Sequence, residues 1–136
     1  MKKIILSGIL ILVISQNPFA QKNNSRSGEQ WFDSGITRYE LGNYREAVVF
    51  FSKFIRKNPN NKEACLLRNI CYREQGKFDI VVADATMMLR KFPRDADFLY
   101  SRGFAYSQLG EDKLAIKDFS KAIKFNSEGA NIFYNR

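Results

Sequence analysis

Residues 41–61 read LGNYREAVVFFSKFIRKNPNN, with Gly42, Tyr44, Ala47, Phe51, Phe54 and Pro59 at spacings that recur along the chain. A step of 34 residues carries Gly42 to Gly76 and Gly110, Tyr44 to Phe78, Ala47 to Val81 and Ala115, and Phe51 to Ala85 and Phe119. Phe54 steps to Met88 and Ala122, and Pro59 to Pro93, with Ser127 in third place. Upstream of the glycines, Trp31 corresponds to Cys65 and Leu99, Gly35 to Asn69 and Gly103, and Arg38 to Tyr72 and Tyr106. Three tandem units follow: 28–61, 62–95 and 96–129. Repetition at a fixed period outranks any single-segment reading.

Each unit reads as two helices. Trp31, Gly35 and Tyr39 put one stripe on the first helix, which Gly42 ends. A second helix from about Tyr44 to Arg56 gathers Ala47, Val48, Phe51, Phe54 and Ile55 on one face, and Pro59 breaks the chain before the next unit. Gly35 and Ala47 are small where the two helices must approach, leaving room for Trp31, Tyr44 and Phe51 to interlock. Neither helix can bury its stripe alone, so the units must stack.

A 34-residue helix–turn–helix with W-x2-L-G-x2-Y, A-x3-F and P is the signature of the tetratricopeptide repeat. WFDSGITRYELGNYREAVVFFSKFIRKNPNN (31–61) resembles it closely, and LYSRGFAYSQLGEDKLAIKDFSKAIKFN (99–126) nearly as well. CLLRNICYREQGKFDIVVADATMMLRKFP (65–93) is weaker, with Asn69 for the glycine and Val81 for the alanine. The resemblance implies an all-α solenoid of about three and a quarter repeats over 28–129. ANIFYNR (130–136) aligns with the start of a fourth, truncated repeat, Phe133 matching Trp31 and Arg136 matching Arg68 and Arg102. It lacks the polar capping helix that a solenoid needs. The expectation is that the chain is a fragment or that something else covers its last repeat, with self-association or fraying at the uncapped end.

The N-terminus has the three parts of a secretory signal peptide: MKK, a 12-residue apolar run from Ile4 to Ser15, and QNPFAQK. The run is shorter than the ~20 residues a membrane-spanning helix needs. Ala20 is the small residue before a cleavage point, although Pro18 departs from the A-x-A pattern. Residues 1–20 are therefore expected to be removed on export to the periplasm or cell envelope, and the polar stretch 21–27 to be a flexible linker. Cleavage removes Lys2 and Lys3 and no acid, lowering the net charge from +8 to +6. Cys65 and Cys71 stand six residues apart, ~9 Å along a helix. That exceeds the ~7 Å a disulfide tolerates, so both are expected to be buried and reduced, with an intermolecular bridge as the alternative.

The residue inventory argues against catalysis. The chain has no histidine, so no Ser–His or Cys–His pair can form, and two cysteines alone make no zinc site. No glycine-rich phosphate loop is present, and no cofactor is expected. Tetratricopeptide-like arrays hold peptide segments on a concave face lined by first helices. Helical spacing places Glu29, Phe32, Ile36, Tyr39 and Glu40 on that face in the first unit. The second unit contributes Glu63, Leu66, Ile70, Arg73 and Glu74, and the third Asp97, Tyr100, Phe104, Ser107 and Gln108, with Asn131 and Tyr134 beyond. Phe32, Leu66, Tyr100 and Tyr134 form an apolar row; Ile36, Ile70 and Phe104 form a second; Glu29, Glu63 and Asp97 form an acidic edge.

The function this implies is a non-catalytic scaffold or adaptor that binds a segment of another protein. Co-chaperone members of the family grip a C-terminal carboxylate with Lys, Asn and Arg. Phe32, Ile36, Leu66 and Ile70 stand where such grips would be, which argues against that clamp. A blander reading packs Ile36, Ile70 and Phe104 between repeats and leaves the acids as a solvated edge. A rival function uses Arg45, Lys53, Arg56, Lys57, Arg90, Lys91, Lys113, Lys117, Lys121 and Lys124, all on second helices, against anionic lipid or polysaccharide. A third has the repeats only position a missing C-terminal domain. Nucleic acid is not an expected partner, since export removes it and the lysines are not interleaved with exposed aromatics. Arg68, Arg102 and Arg136 are expected to be structural, with packed stems and guanidinium heads bonded to carbonyls or carboxylates.

Overall fold

The structure, a computed structural model, describes residues 28–126. The expected signal peptide, linker and partial fourth repeat, Asn131, Tyr134 and Arg136 included, lie outside the described residues. Six helices follow in three hairpins: α1 (Glu29–Glu40) and α2 (Tyr44–Lys57), α3 (Lys62–Glu74) and α4 (Phe78–Lys91), α5 (Ala96–Gln108) and α6 (Asp112–Phe125). No strand occurs among the described residues. The array is the all-α repeat solenoid that the 34-residue period predicts.

The hairpin turn is the same in each unit. Gly42, Gly76 and Gly110 hold φ of 74°, 68° and 76°, a left-handed conformation that side chains resist and glycine adopts freely. The next residue then closes a long-range turn bond: the Asn43 amide donates to the Arg38 carbonyl at 2.8 Å, Lys77 to Tyr72 at 2.9 Å and Glu111 to Tyr106 at 2.8 Å. Between units, polar side chains start the first helices. Asn61 Oδ1 accepts from the Ala64 amide at 2.8 Å, and Asp95 Oδ1 from the amides of Asp97 and Phe98.

The core lies between hairpins as much as within them. Ala47 and Phe51 of α2 cluster with Leu67 and Cys71 of α3. Cys65 and Leu66 of α3 and Ala85, Met88 and Leu89 of α4 cluster with Phe98 and Leu99 of α5 and Ala122 of α6. Phe98 has no exposed surface. Burying such a ring stabilises by roughly 1.5–3 kcal/mol, which α5 gains only because α4 is beside it.

Arg68 and Arg102 repeat one contact on successive hairpins. Arg68 clasps both carboxylate oxygens of Asp84 through Nε and Nη2, and its Nη1 donates to Ser52 Oγ at 3.2 Å. Arg102 holds Asp118 at 2.7 and 2.9 Å, and its Nη1 donates to Thr86 Oγ1 at 3.1 Å. Each arginine thus ties its own second helix to the one before, the structural role expected of it. Burial lowers the affinity of the Arg68 guanidinium for its proton, but the bond and charge of Asp84 outweigh that and the net shift is upward. Arg102 is raised chiefly by its hydrogen bond to Asp118.

Helix contact within a hairpin depends on a large–small pair. A Cβ on Gly35 would meet the Phe51 ring at 2.6 Å, and one on Gly103 would meet the Phe119 ring at 3.0 Å. In the middle unit the pair is reversed: Asn69 replaces the glycine and Ala85 the phenylalanine. Both are buried, and α3 and α4 approach less closely than their counterparts. The Asn69 amide has no hydrogen-bond partner at either Nδ2 or Oδ1.

Two predictions follow from this packing. Ala85→Phe alone should destabilise by about 1–3 kcal/mol through overpacking against Asn69. Asn69→Gly alone should also destabilise, since it opens space and adds a helix glycine costing about 1 kcal/mol. Together they should cost less than their sum by at least about 1 kcal/mol in a double-mutant denaturation cycle; strict additivity would show that the two residues do not share a site. The thiols give the second. Cys65 and Cys71 are free and buried, and burial pushes them up to about 11 and about 12. An unfolded cysteine ionises near 8.5, so their contribution to stability is complete below that pH and lost as pH climbs through 11 to 12. At pH 8 a maleimide should leave the folded protein unlabelled and modify both thiols after denaturation; fast labelling of the native chain would contradict their burial.

Candidate partner-binding surface

The inner face of α1, α3 and α5 divides into residues the core absorbs and residues it leaves open. Leu66 and Ile70, expected to line a groove, are 4% and 9% exposed. They are corrected to core residues: as the middle hairpin, their unit is covered on both sides. Phe32 and Tyr100 are half-buried and lean inward. The Phe32 ring lies 5.9 Å from Phe51 and 5.1 Å from Phe54, and Tyr100 lies 5.4 Å from Phe119. Ile36 packs against the Ala47–Phe51 cluster. The Phe32–Leu66–Tyr100 row is therefore mainly a packing row.

Glu29 and Glu63 are exposed and Asp97 is half-buried. Towards the turn end of the first helices, α1, α3 and α5 contribute the half-buried Tyr39, Arg73 and Phe104. Tyr39 is half-buried with its ring 6.0 Å from Tyr44, and burial, followed by the nearby Cys71 and Tyr44, raises its phenol. Arg73 sits 5.2 Å over the Phe104 ring and donates to Glu74 Oε1 at 3.3 Å. Phe104 meets Phe78 edge-on at 6.3 Å. Tyr44, Tyr39, Arg73, Phe104 and Phe78 thus form a strip across all three hairpins, aromatic with one cation. Helical spacing placed Tyr39, Arg73 and Phe104 on this face. It missed Tyr44 and Phe78, although their 34-residue correspondence just after the turn glycines was a usable signal.

Such a strip can stack on and hydrogen-bond a passing chain, and Arg73 can meet an acceptor there. Among the described residues no group of three metal-ligating side chains occurs, and no helix is long and apolar enough to cross a membrane. The second helices present the basic surface. α2 and α6 carry four lysines or arginines each, and most of these are exposed. Lys53 instead lies half-buried beside the Phe50 ring, and Lys91 Nζ donates to the Pro59 carbonyl and Asn60 Oδ1.

Sequence models described as Tetratricopeptide repeat match residues 31–61 and 96–128. Residues 62–95 fall between the two matches, the stretch that carries the reversed Asn69–Ala85 pair. No curated protein matches the chain in sequence. Among solved structures, the first TPR of Spaghetti (RPAP3) bound to an HSP90 peptide, SRMEEVD, superposes with a TM-score of 0.70 at 20% identity, over 77% of this chain and 83% of that one. Two MamA structures, MSR-1 and AMB-1, give TM-scores of 0.64 and 0.62 at 23% and 25% identity, over 71% and 74% of this chain. The match covers 55% of each MamA chain, so this chain spans about half their length. At these identities the likeness is one of fold. With the matched repeats, the 34-residue period and the stacked hairpins together, the chain belongs to the tetratricopeptide-repeat family.

Proposed function

We propose that the chain is a non-catalytic interaction scaffold of the cell envelope, exported by its first 20 residues, that captures a segment of a partner protein on its inner face. The observation that carries the reading is the Tyr39–Arg73–Phe104 strip, part-exposed side chains from three successive first helices aligned along one face. A partner segment laid across it would find aromatic surface with Arg73 in the middle and the exposed Glu40 and Glu74 beside it. That chemistry suits an extended segment with apolar side chains and flanking basic residues. The Spaghetti structure holds its peptide on the same fold. Apolar Phe32, Ile36, Leu66 and Ile70 stand where the family resemblance would put polar carboxylate grips, so the contact would rest on stacking rather than on a C-terminal carboxylate.

The exposed cations of α2 and α6 favour a second reading, contact with anionic lipid or polysaccharide. Salt separates the two. Charge-driven contact weakens steeply as ionic strength rises, and apolar stacking does not.

The test is an affinity measurement on a partner recovered from envelope extract, comparing Tyr39→Ala plus Phe104→Ala with Lys117→Glu plus Lys121→Glu. Stacking residues at the centre of an interface carry most of its energy. The inner-face pair should lose at least about tenfold in affinity, corresponding to ~1.4 kcal/mol, and the α6 pair should stay near wild type. The reverse pattern would move the site to the basic face.

A further inference from the structure

The second helices carry an apolar stripe that neither the core nor the inner face uses. On α4, Ile80, Ala83 and Met87 stand at offsets of three and seven, which sets them in one line ~10 Å long. Ile80 and Met87 are 41% and 52% exposed, and Ala83 is exposed between them. With Arg68, Tyr72 and Arg90 they line an open, largely apolar cavity of about 500 Å³. The Arg68 guanidinium in its wall is already taken up by Asp84 and Ser52. The cavity therefore offers shape and apolar surface, with charge supplied from its rim by the exposed Arg90.

The 34-residue step shows that the stripe is particular to the middle unit. Ala83 and Met87 correspond to Lys117 and Lys121 on α6, and Met87 to Lys53 on α2. In the order of hairpins α4 lies between α2 and α6, so its apolar line is framed by cations. Arg56 and Lys57 stand on one side and Lys117 and Lys121 on the other, all exposed. Exposed acids on these three helices are confined to their first turns, at Glu46, Asp79 and Asp112. Asp84 and Asp118 are buried against Arg68 and Arg102. Past the first turns the surface is thus cationic with an apolar centre.

We propose that this surface binds an acidic amphipathic helix of a second partner, laid along α4 with its apolar side chains over Ile80, Ala83 and Met87. Packed helices lie about 8–10 Å apart, so the flanks of a helix on α4 come within reach of long side chains from both neighbours. There its carboxylates would meet Arg56, Lys117 and Lys121. Charge steers the segment in, and the apolar line fixes its register. A flat lipid surface would meet the cations and leave the cavity unfilled, which favours a protein segment with protruding side chains. The site is built on second helices and selects an acidic partner, whereas the Tyr39–Arg73–Phe104 strip is built chiefly on first helices and suits basic flanks. It therefore stands independently of the inner-face reading.

Fluorescence anisotropy tests this with a labelled synthetic helical peptide about five turns long, leucines on one face and glutamates on both flanks. The whole chain should bind it at least about tenfold tighter than the same peptide with lysines for glutamates. Met87→Glu removes apolar surface and repels the acids, and should lose at least about tenfold in affinity. Met87→Gln should lose less, and Lys117→Ala plus Lys121→Ala should weaken binding and flatten its salt dependence. Leu41→Glu, at a site 65% exposed in the turn after α1, should leave the affinity unchanged. Far-UV circular dichroism checks that each variant is folded. No preference for the acidic peptide, or an affinity indifferent to Met87→Glu, would overturn the proposal. Phosphatidylglycerol vesicles that sediment the wild type, fail to sediment Met87→Glu and displace the peptide would assign the surface to lipid, and would overturn it equally.

Discussion

Phe98 and Leu89 belong to different hairpins, and each is buried because of the other hairpin. The rest of the architecture depends on that dependence. A two-helix unit exposes one flank of apolar side chains that its own turn cannot cover, so burial is completed only by the first helix of the following unit. The glycine turns set the angle at which each hairpin leaves and returns, and Asn61 and Asp95 fix where the next helix begins. The arginines add direction: Arg68 and Arg102 reach back to a hydroxyl on the preceding second helix while holding an aspartate on their own. Removing one partner of such a shielded pair leaves a stranded charge, which is far more costly than the pair is stabilising.

That shared burial also decides which inner-face residues remain for function. The middle hairpin, covered on both sides, surrenders Leu66 and Ile70 to the core. The aromatic rows therefore thin out where helical spacing alone would leave them continuous. Tyr39, Arg73 and Phe104 stay part-exposed near the turn end, supported by Tyr44 and Phe78 from the second helices. The result is a surface rigid enough to stack on another chain, because each ring leans on a neighbour. Basic side chains of α2 and α6 lie on the second helices instead, separating the two kinds of surface.

Much of this was legible in the residues before any coordinates. Period, turn glycines and small–large helix contacts are local and repetitive, so three weak copies reinforce one another. Depth is not local. Phe32, Leu66 and Tyr100 share one register position, yet Leu66 is buried and the other two are half-buried, because exposure depends on how many hairpins flank the unit. Asn69 was legible as a departure from the repeat, but its compensation by Ala85 is visible only when the two helices are set against each other. The inner strip was half legible for the same reason: first-helix spacing finds Tyr39, Arg73 and Phe104, and the contact with Phe78 comes from a different helix.

Native-state hydrogen exchange under increasing denaturant measures the central claim, that hairpins are stable through their neighbours. The slowest amides should lie in α4 and α5, on the two sides of the Leu89–Phe98 contact, and should open together with a single free energy and a single denaturant slope. If α3–α4 and α5–α6 instead opened independently, each with its own slope, every hairpin would be holding its core by itself and the account would fail.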